Sequence, residues 1–539
     1  APTPAPTPAP TPAPTPTPTP APNNRPVFTS PNTFEVIEGV SFIGTINASD
    51  EDGDTVTYSI TNIKDEDDFI IDSNSGELSL KEVADYEVKN SYSIQLRAWD
   101  GKDEALQDIT IQVVDTLGKQ LGQDIYGEDE NDFSGVIRAL NENGSKIAIA
   151  AWRNDDAGNN AGHVRTFELI NDNWTQYGGD IDGEFSGDES GVRVAINDAG
   201  DFIAVSSPSS DGGGTSTGSV RLFELIDNVW QQKGSTINGK YSGDQAGYGL
   251  AINDNGTVVA IGAPNGSGNS NAYLGAGTVS IYDFYQGDWD QLGEDIRGEG
   301  PSDKSGYSIS LSSDGKTVAI GAFGNSDGTT RNQMGNVRIY DFNDSFSVFD
   351  WEQRGDDIDG INAGDDFGYS VSLSGDGDTL AIGAPGAEYF NSDNAGSVTI
   401  YQWSSYEWSG PFATVYGRNA NDRMGYSVQL SKDGDVLAAG GVGSEDEGLN
   451  SYYKRVYKDG STRYFDMVEF EEIRGSVIDS NQKISDRANI SRDGKILSIS
   501  YPENSEYGTQ RGKVSVFEID GIASIEPTPA PTPAPTPAP

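Results

Sequence analysis

The residues with most capacity for chemistry are carboxylates. Asp and Glu number 84 against 35 Lys and Arg. Within residues 23–115 they cluster in the way hard cations favour, since calcium takes six to eight oxygens. No nucleophile–base set accompanies them. Cysteine is absent, which excludes disulfides, thiolate metal sites and cysteine catalysis, and a single histidine sets aside the usual zinc sites. That histidine, His163, opens the strand-like stretch GHVRTFE, where a structural role is expected. Carboxylate pairs recur throughout so acidic a chain, and none is singled out as a glycosidase dyad. The expectation is a protein that is not an enzyme, although a fold alone never excludes activity.

The element that must position these groups is a recurring hairpin, clearest in FGYSVSLSGDGDTLAIGAP (Phe367–Pro385). Tyr369, Val371 and Leu373 alternate with serines, a Gly-Asp-Gly turn follows, and Thr379–Ile382 is a continuous apolar run. Alternation suits a strand with one buried face, and the continuous run suits a strand buried on both. Copies begin at Gly191, Gly247, Gly306 and Gly425, with weaker ones at Gly135 and Ser485. The turn glycines Gly144, Gly200, Gly256, Gly315, Gly377, Gly434 and Gly494 lie 56 to 62 residues apart. Constant geometry inside the unit with variable length between units predicts a seven-bladed β-propeller.

A third strand follows each clear hairpin, as in GSVRLFE (Gly218–Glu224) and GSVTIYQ (Gly396–Gln402). A fourth carries tryptophan. Trp174, Trp230, Trp289, Trp351 and Trp408 each stand 17 residues before the next hairpin glycine and are expected to pack between blades. Gln120–Ile125 (QLGQDI) has the fourth-strand pattern but precedes the first hairpin, while the last repeat stops after its third strand. The N-terminal strand is therefore expected to complete the last blade of a propeller over 117–521.

Residues 1–22 contain only Ala, Pro and Thr with proline at every second position, and Pro527–Pro539 repeats the pattern within a C-terminal arm, 522–539. Proline bars both arms from helices and central strands, so polyproline II is expected, and 22 residues would reach roughly 70 Å. Such arms serve as stiff spacers or pack with arms of neighbouring copies. Their threonines would accept O-glycans in a suitable cell, as would seven Asn-x-Ser/Thr sequons in a glycosylating one. The net charge of −49 argues against nucleic acid and anionic membrane as partners, and no apolar stretch is long enough to insert in a bilayer. The chain starts at Ala1 without methionine or a hydrophobic leader, as expected of a processed chain or a segment of a longer one.

Residues 23–115 resemble a cadherin-type repeat. The matching pieces, in the family's order, are NNRPVF (Asn23–Phe28), VIEG (Val36–Gly39), ASDEDGDTVTYSI (Ala48–Ile60), FIIDSNSGELSL (Phe69–Leu80), DYE (Asp85–Glu87), YSIQLRAWDG (Tyr92–Gly101) and ITIQVVD (Ile109–Asp115). The resemblance implies a seven-stranded Greek-key sandwich and bound Ca2+. It would place Asp50, Asp52 and Asp100 at the N-terminal end with Asn24, and Glu38, Asp85, Glu87 and Asp115 at the C-terminal end. Cadherin sites are completed between consecutive repeats. Here Thr116-Leu117-Gly118 replaces the acidic linker, and prolines precede Asn23.

The hairpin resembles the FG-GAP repeat of integrin-like propellers, most literally at Phe367-Gly368 and Gly383-Ala384-Pro385, with Gly262-Ala263-Pro264 as a second copy. Calcium-binding FG-GAP blades carry Asp-x-Asp-x-Asp-Gly, whereas these turns read SSDGK, SGDGD and SKDGD, so calcium is not expected in the blades. The Ser-x-Asp-Gly turns also resemble the Asp-box of sialidase propellers, without its trailing aromatic.

The expected fold class is all-β: a cadherin-like sandwich, a propeller and polyproline II ends. Two functional readings follow, both extracellular or cell-surface. In the first, the chain is a structural subunit or repeat segment of a surface filament or appendage that self-associates through its Pro/Thr-rich arms. In the second, it is a cell-surface adhesin whose propeller loops bind a glycan or protein ligand. Two arms favour the first reading. Insertions at Asn325–Met334, Asp344–Asp350 and Glu388–Asp393 favour the second.

Overall fold

A computed structural model of the chain describes residues 23–37, 41–61, 64–82, 84, 89–114, 120–267, 274–326, 333–345, 347–389, 392–404, 406–417, 419–441, 449–454, 456–458, 462–464, 487, 489–505 and 509–518. The two arms lie outside these residues, as do Glu38, Asp85, Glu87 and Asp115. The chain divides into two compact units, Ala1–Asp115 and Thr116–Pro539. The fold class is all-β, and no α-helix occurs among the described residues.

The first unit is a sandwich of a four-stranded and a three-stranded sheet. The larger runs Thr33–Ile37, Glu104–Val114, Ser91–Trp99, Thr57–Ile60, with the first pair parallel. The smaller runs Phe42–Thr45, Glu77–Leu80, Phe69–Ile71. Residue alternation decides what faces the core. Along Ser91–Trp99, Tyr92, Ile94, Leu96 and Ala98 turn inward while Ser91, Ser93, Gln95 and Arg97 face out. Tyr92, Ile94 and Leu96 meet Ile46, Phe69, Leu78, Ile109 and Ile111 in one apolar core.

The second unit is a seven-bladed propeller. In the fifth blade Ser370–Leu373, Thr379–Ala384, Ser397–Ser404 and Glu407–Tyr416 pair antiparallel in that order. The continuous apolar run is the second strand, buried along its whole length. In the first four blades the fourth strand comes in two pieces on the same third strand, for example Asn173–Gln176 and Ile181–Asp182 on His163–Ile170. The tryptophans behave as expected. Each indole NH donates to the blade before it: Trp174 to Leu121 O (2.6 Å), Trp230 to Thr166 Oγ1 (2.9 Å), Trp289 to Lys233 O (2.7 Å), Trp351 to Leu292 O (2.8 Å) and Trp408 to Arg354 O (3.0 Å).

The second-strand glycine of the FG-GAP pattern has a steric cause. A Cβ on Gly383 would lie 2.1 Å from Gly425 O, the backbone with which the next blade begins. Neighbouring blades come that close because the first strands line a common axis and touch in turn, with Ile137–Leu140 meeting Asn489–Ile490.

Backbone hydrogen bonds between successive hairpin turns run round that axis and return to their start. Glu142 N donates to Asp198 O (3.3 Å), Asp198 N to Asp254 O (3.1 Å) and Asp254 N to Ser313 O (3.2 Å). Ser313 N donates to Gly375 O (2.8 Å), Gly375 N to Lys432 O (2.7 Å), Lys432 N to Arg492 O (2.6 Å), and Asp493 N to Glu142 O (2.9 Å). At the rim, Ile125–Tyr126 pairs with Lys513–Glu518, so the last sheet takes its outer strand from ahead of the first hairpin.

Candidate functional site

In the sandwich, Asp50, Asp52, Asp100 and Asn24 are drawn to one end. Asp50 Oδ1 accepts from the backbone NH of Asp52 (2.9 Å) and Asp54 (3.1 Å), so the acidic loop folds around its own first carboxylate. Asn24 N donates to Asp52 Oδ2 at 2.6 Å. Asp100 accepts from the backbone of Asp103 and Lys102 (2.7 and 2.6 Å) and from Asn23 Nδ2 (2.8 Å). The Asp103 backbone bond leads in holding its carboxyl below the usual range, with Asn23 and the Lys102 backbone helping against burial.

Asp54, Lys102, Asp103 and Asn23 complete this end although sequence reasoning did not select them. Lys102 Nζ sits 2.8 Å from Asp54 Oδ2 and 3.0 Å from Asn23 Oδ1. The signal was present: a lysine two residues after Asp100, inside an acidic cluster, is a built-in counterion.

Calcium fits the donor set in kind. Asp50 Oδ2 is buried with no hydrogen-bond partner, an orphan acceptor that a hard cation would satisfy. The oxygens of Asp52 and Asp100 are already engaged by protein donors, and no three described carboxylates of this unit bring one oxygen each within 4.8 Å of one another. Binding would exchange those internal bonds for metal bonds. The second predicted set, Glu38, Asp85, Glu87 and Asp115, lies outside the described residues.

The propeller presents two features at its axis. On the turn side, Lys432 Nζ reaches Asp254 Oδ2 (2.6 Å), Asp198 Oδ2 (2.7 Å) and Glu142 Oε1 (3.3 Å). Arg492 reaches Asp254 (2.7 Å) and Asp198 (3.4 Å). Burial opposes ionisation in both aspartates. Asp254, with the closer arginine contact, is nevertheless held below the carboxylate range by Lys432 and Arg492, whereas Asp198 is held above it. These charges occupy one place in the repeat, the second turn position, which reads Glu142, Asp198, Asp254, Ser313, Gly375, Lys432, Arg492 around the ring. Acids on one side and bases on the other meet across the axis.

Further along lies a cavity of about 200 Å³ lined by Arg193, Arg487, Tyr307, Tyr369 and Tyr426 among others. The tyrosines form a belt, with centroids 4.9 Å apart for Tyr307–Tyr369 and 4.8 Å for Tyr369–Tyr426. Tyr248 continues it at 5.2 Å from Tyr307, and Arg193 lies over the Tyr248 ring. Burial first, then Arg487, pulls the Arg193 guanidinium down to about 10, and it stays charged at neutral pH.

His163 is buried at the start of its strand, as a structural residue would be, but both ring nitrogens lack a partner. Burial, then Arg165, lowers its imidazole to about 4, so the ring is neutral at neutral pH. Glu128 and Asp180 flank it, and among the described residues this is the one group of three metal-competent side chains whose ligand atoms all lie within 4.8 Å. Sequence reasoning missed the two carboxylates because they sit 35 residues before and 17 after the histidine, on different blades.

Residues 32–114 match the family model of the cadherin domain, and residues 359–401 match that of the FG-GAP repeat. The Fat-like cadherin-related tumor suppressor homolog of Drosophila melanogaster is 32% identical over 103 residues, 18% of this chain and 2% of that protein's length. Among solved structures, a proposed 6-phosphogluconolactonase from Bacteroides uniformis overlays with a TM-score of 0.42 at 12% identity, covering 71% of this chain and 91% of its own. That likeness is too loose to bear on activity. Cadherin domains typically bind calcium, and both matched modules are typical of extracellular or cell-surface proteins of adhesive or structural type. No helix among the described residues is long and apolar enough to cross a membrane.

Proposed function

We propose that this chain is a non-enzymatic structural protein of the cell exterior, a subunit or repeat segment of a filament or appendage assembled through its Ala/Pro/Thr arms. The observation that carries the reading is the same proline-alternating repeat at both ends of the sequence. An adhesin needs one stalk, whereas a subunit that meets a copy at each end needs two. Closed blades and a filled sandwich suit a bulk-forming part, because a propeller leaves few unpaired strand edges for uncontrolled pairing.

In this reading Asp50, Asp52 and Asp100, with Asn24, hold calcium at the N-terminal end of the sandwich. The ion supplies charge neutralisation, and the chain's own residues do the rest. Asn23 and Asn24 fasten the entering segment to Asp100 and Asp52, and Lys102 holds part of the charge balance without metal. Electron microscopy of the intact protein beside a form lacking 1–22 and 522–539 tests the assembly role. Regular polymers from the intact chain alone support it, and single particles from both overturn it.

The axial cavity favours a second reading, an adhesin. Arg193 and Arg487 beside a tyrosine belt offer cationic donors and aromatic faces to an anionic glycan or a protein carboxylate. Glycan-array binding that is lost in Arg193→Gln supports it.

A further inference from the structure

The blades provide an internal comparison at the outer end of the third strand. In the fourth blade Asn336 occupies the position of His163 and extends its amide toward Glu299 (3.4 Å) and Asp357 (3.5 Å), the counterparts of Glu128 and Asp180. In the third blade Lys240 replaces the glutamate and binds Asp295 at 2.6 Å. In the seventh blade Lys513 stands at the histidine position, 3.4 Å from Asp124. In those three blades, then, a nitrogen donor from this position or its neighbour faces the carboxylates. In the first blade the residue between the two carboxylates is an imidazole, 1% exposed, with neither nitrogen hydrogen-bonded. An uncharged imidazole carries one N–H and one lone pair, and burying both unmatched costs free energy.

We propose that Glu128, His163 and Asp180 form a binding site for a divalent first-row transition ion, with zinc as the reference case, that clamps the seam of the propeller. An imidazole nitrogen with two carboxylate oxygens is a zinc-type set, and the nitrogen disfavours calcium and magnesium. The distances allow it. Ligands around a tetrahedral zinc stand roughly 3.4 Å apart, so donors that lie within 4.8 Å of one another need only a small approach to share an ion.

The other groups at the site leave the set available. Arg165 reaches Glu128 at 3.3 Å but turns its second terminal nitrogen to Tyr126 O at 2.7 Å. Gln176 donates to one oxygen of Asp180 at 2.5 Å, leaving the other. Asp129 and Asp156 add negative charge nearby that favours a cation, opposing the positive charge of Arg165. Glu128 follows the outer strand Ile125–Tyr126 of the seventh blade, while His163 and Asp180 belong to the first. An ion here therefore ties the two blades at which the ring begins and ends, and binding to the folded ring alone raises its stability.

The test uses the full chain, stripped with chelator, loaded with zinc in millimolar calcium to occupy other carboxylates, and passed into metal-free buffer. Elemental analysis should find about one zinc per chain, and calorimetry should show zinc raising the propeller's melting temperature. His163→Gln should abolish both, and Asp180→Asn, at an exposed position, should weaken binding by about tenfold or more. Asp180→Asn decides the matter if His163→Gln fails to fold. No retained zinc in the native chain, or equal zinc in native and Asp180→Asn proteins, overturns the proposal.

Discussion

Replacing Lys432 with methionine tests whether the charges at the turn end of the axis hold the ring. The substitution keeps the apolar stem and removes an ammonium that lies 2.6 Å from Asp254 and 2.7 Å from Asp198. At an effective dielectric of about 20 each contact is worth roughly 6 kcal/mol gross, most of it offset by desolvation. Removing one partner of a fully buried pair costs about 3–5 kcal/mol. Lys432 keeps 36% of its side chain exposed against 14% and 18% for the aspartates. Solvent screening scales the loss to about 2 kcal/mol, because Arg492 remains to neutralise part of the pair. For a body of this size that is a fall of roughly 2 °C in Tm by calorimetry.

The pH dependence carries a sign. Asp254 is held low in the native ring, so its contribution is present above the unfolded carboxylate range and fades as pH falls. Without Lys432 both aspartates rise, and the variant regains stability by taking up a proton. The deficit is therefore largest near neutrality and shrinks as pH drops through about 5 to 4. Hydrogen bonds to Asp198 and Asp254 outweigh burial and raise Lys432, so the native advantage persists until pH climbs beyond the ordinary lysine range. Lys432→Arg should lose little. A Lys432→Met protein that melts with the native one at pH 7, or a deficit independent of pH, would refute the argument.

Further outcomes follow from single contacts. Trp289→Phe removes the indole NH bound to Lys233 O and should cost about 1 kcal/mol in urea unfolding, with an edge-to-face contact to Phe284 retained. Gly383→Ala places a methyl 2.1 Å from Gly425 O and should lower Tm more than any of the other substitutions, or fail to express. Ser374→Ala loses the hydroxyl that accepts from Thr379 N at 2.9 Å and should cost about 1 kcal/mol, measured the same way. Calcium should raise the sandwich's melting temperature, and Asp50→Asn should abolish that shift by isothermal titration as well as by melting.

The comparison of sequence with structure separates two kinds of information. Hairpins, turn glycines and inter-blade tryptophans were legible because each is a local pattern repeated at near-constant spacing, and a strand's burial follows from its own residues. The cadherin end was legible by resemblance, down to Asp50, Asp52 and Asp100 meeting Asn24's segment. Lys102 was legible only as a cation two residues after Asp100, because nothing in a carboxylate pattern fixes its contact with Asp54. The axial charges show what was recoverable. Read singly, Glu142, Asp198, Asp254, Lys432 and Arg492 are unremarkable polar turn residues. Aligned at the second turn position of their repeats, they become an ordered series from acid to base, and closing the series into a ring must bring Lys432 and Arg492 opposite Asp198 and Asp254. Repeat proteins thus hold long-range contacts in a readable form once the repeat number is treated as an angle. The Glu128–His163–Asp180 group obeys the same rule: its members occupy repeat positions that carry other polar pairs elsewhere, and the departure is the single histidine.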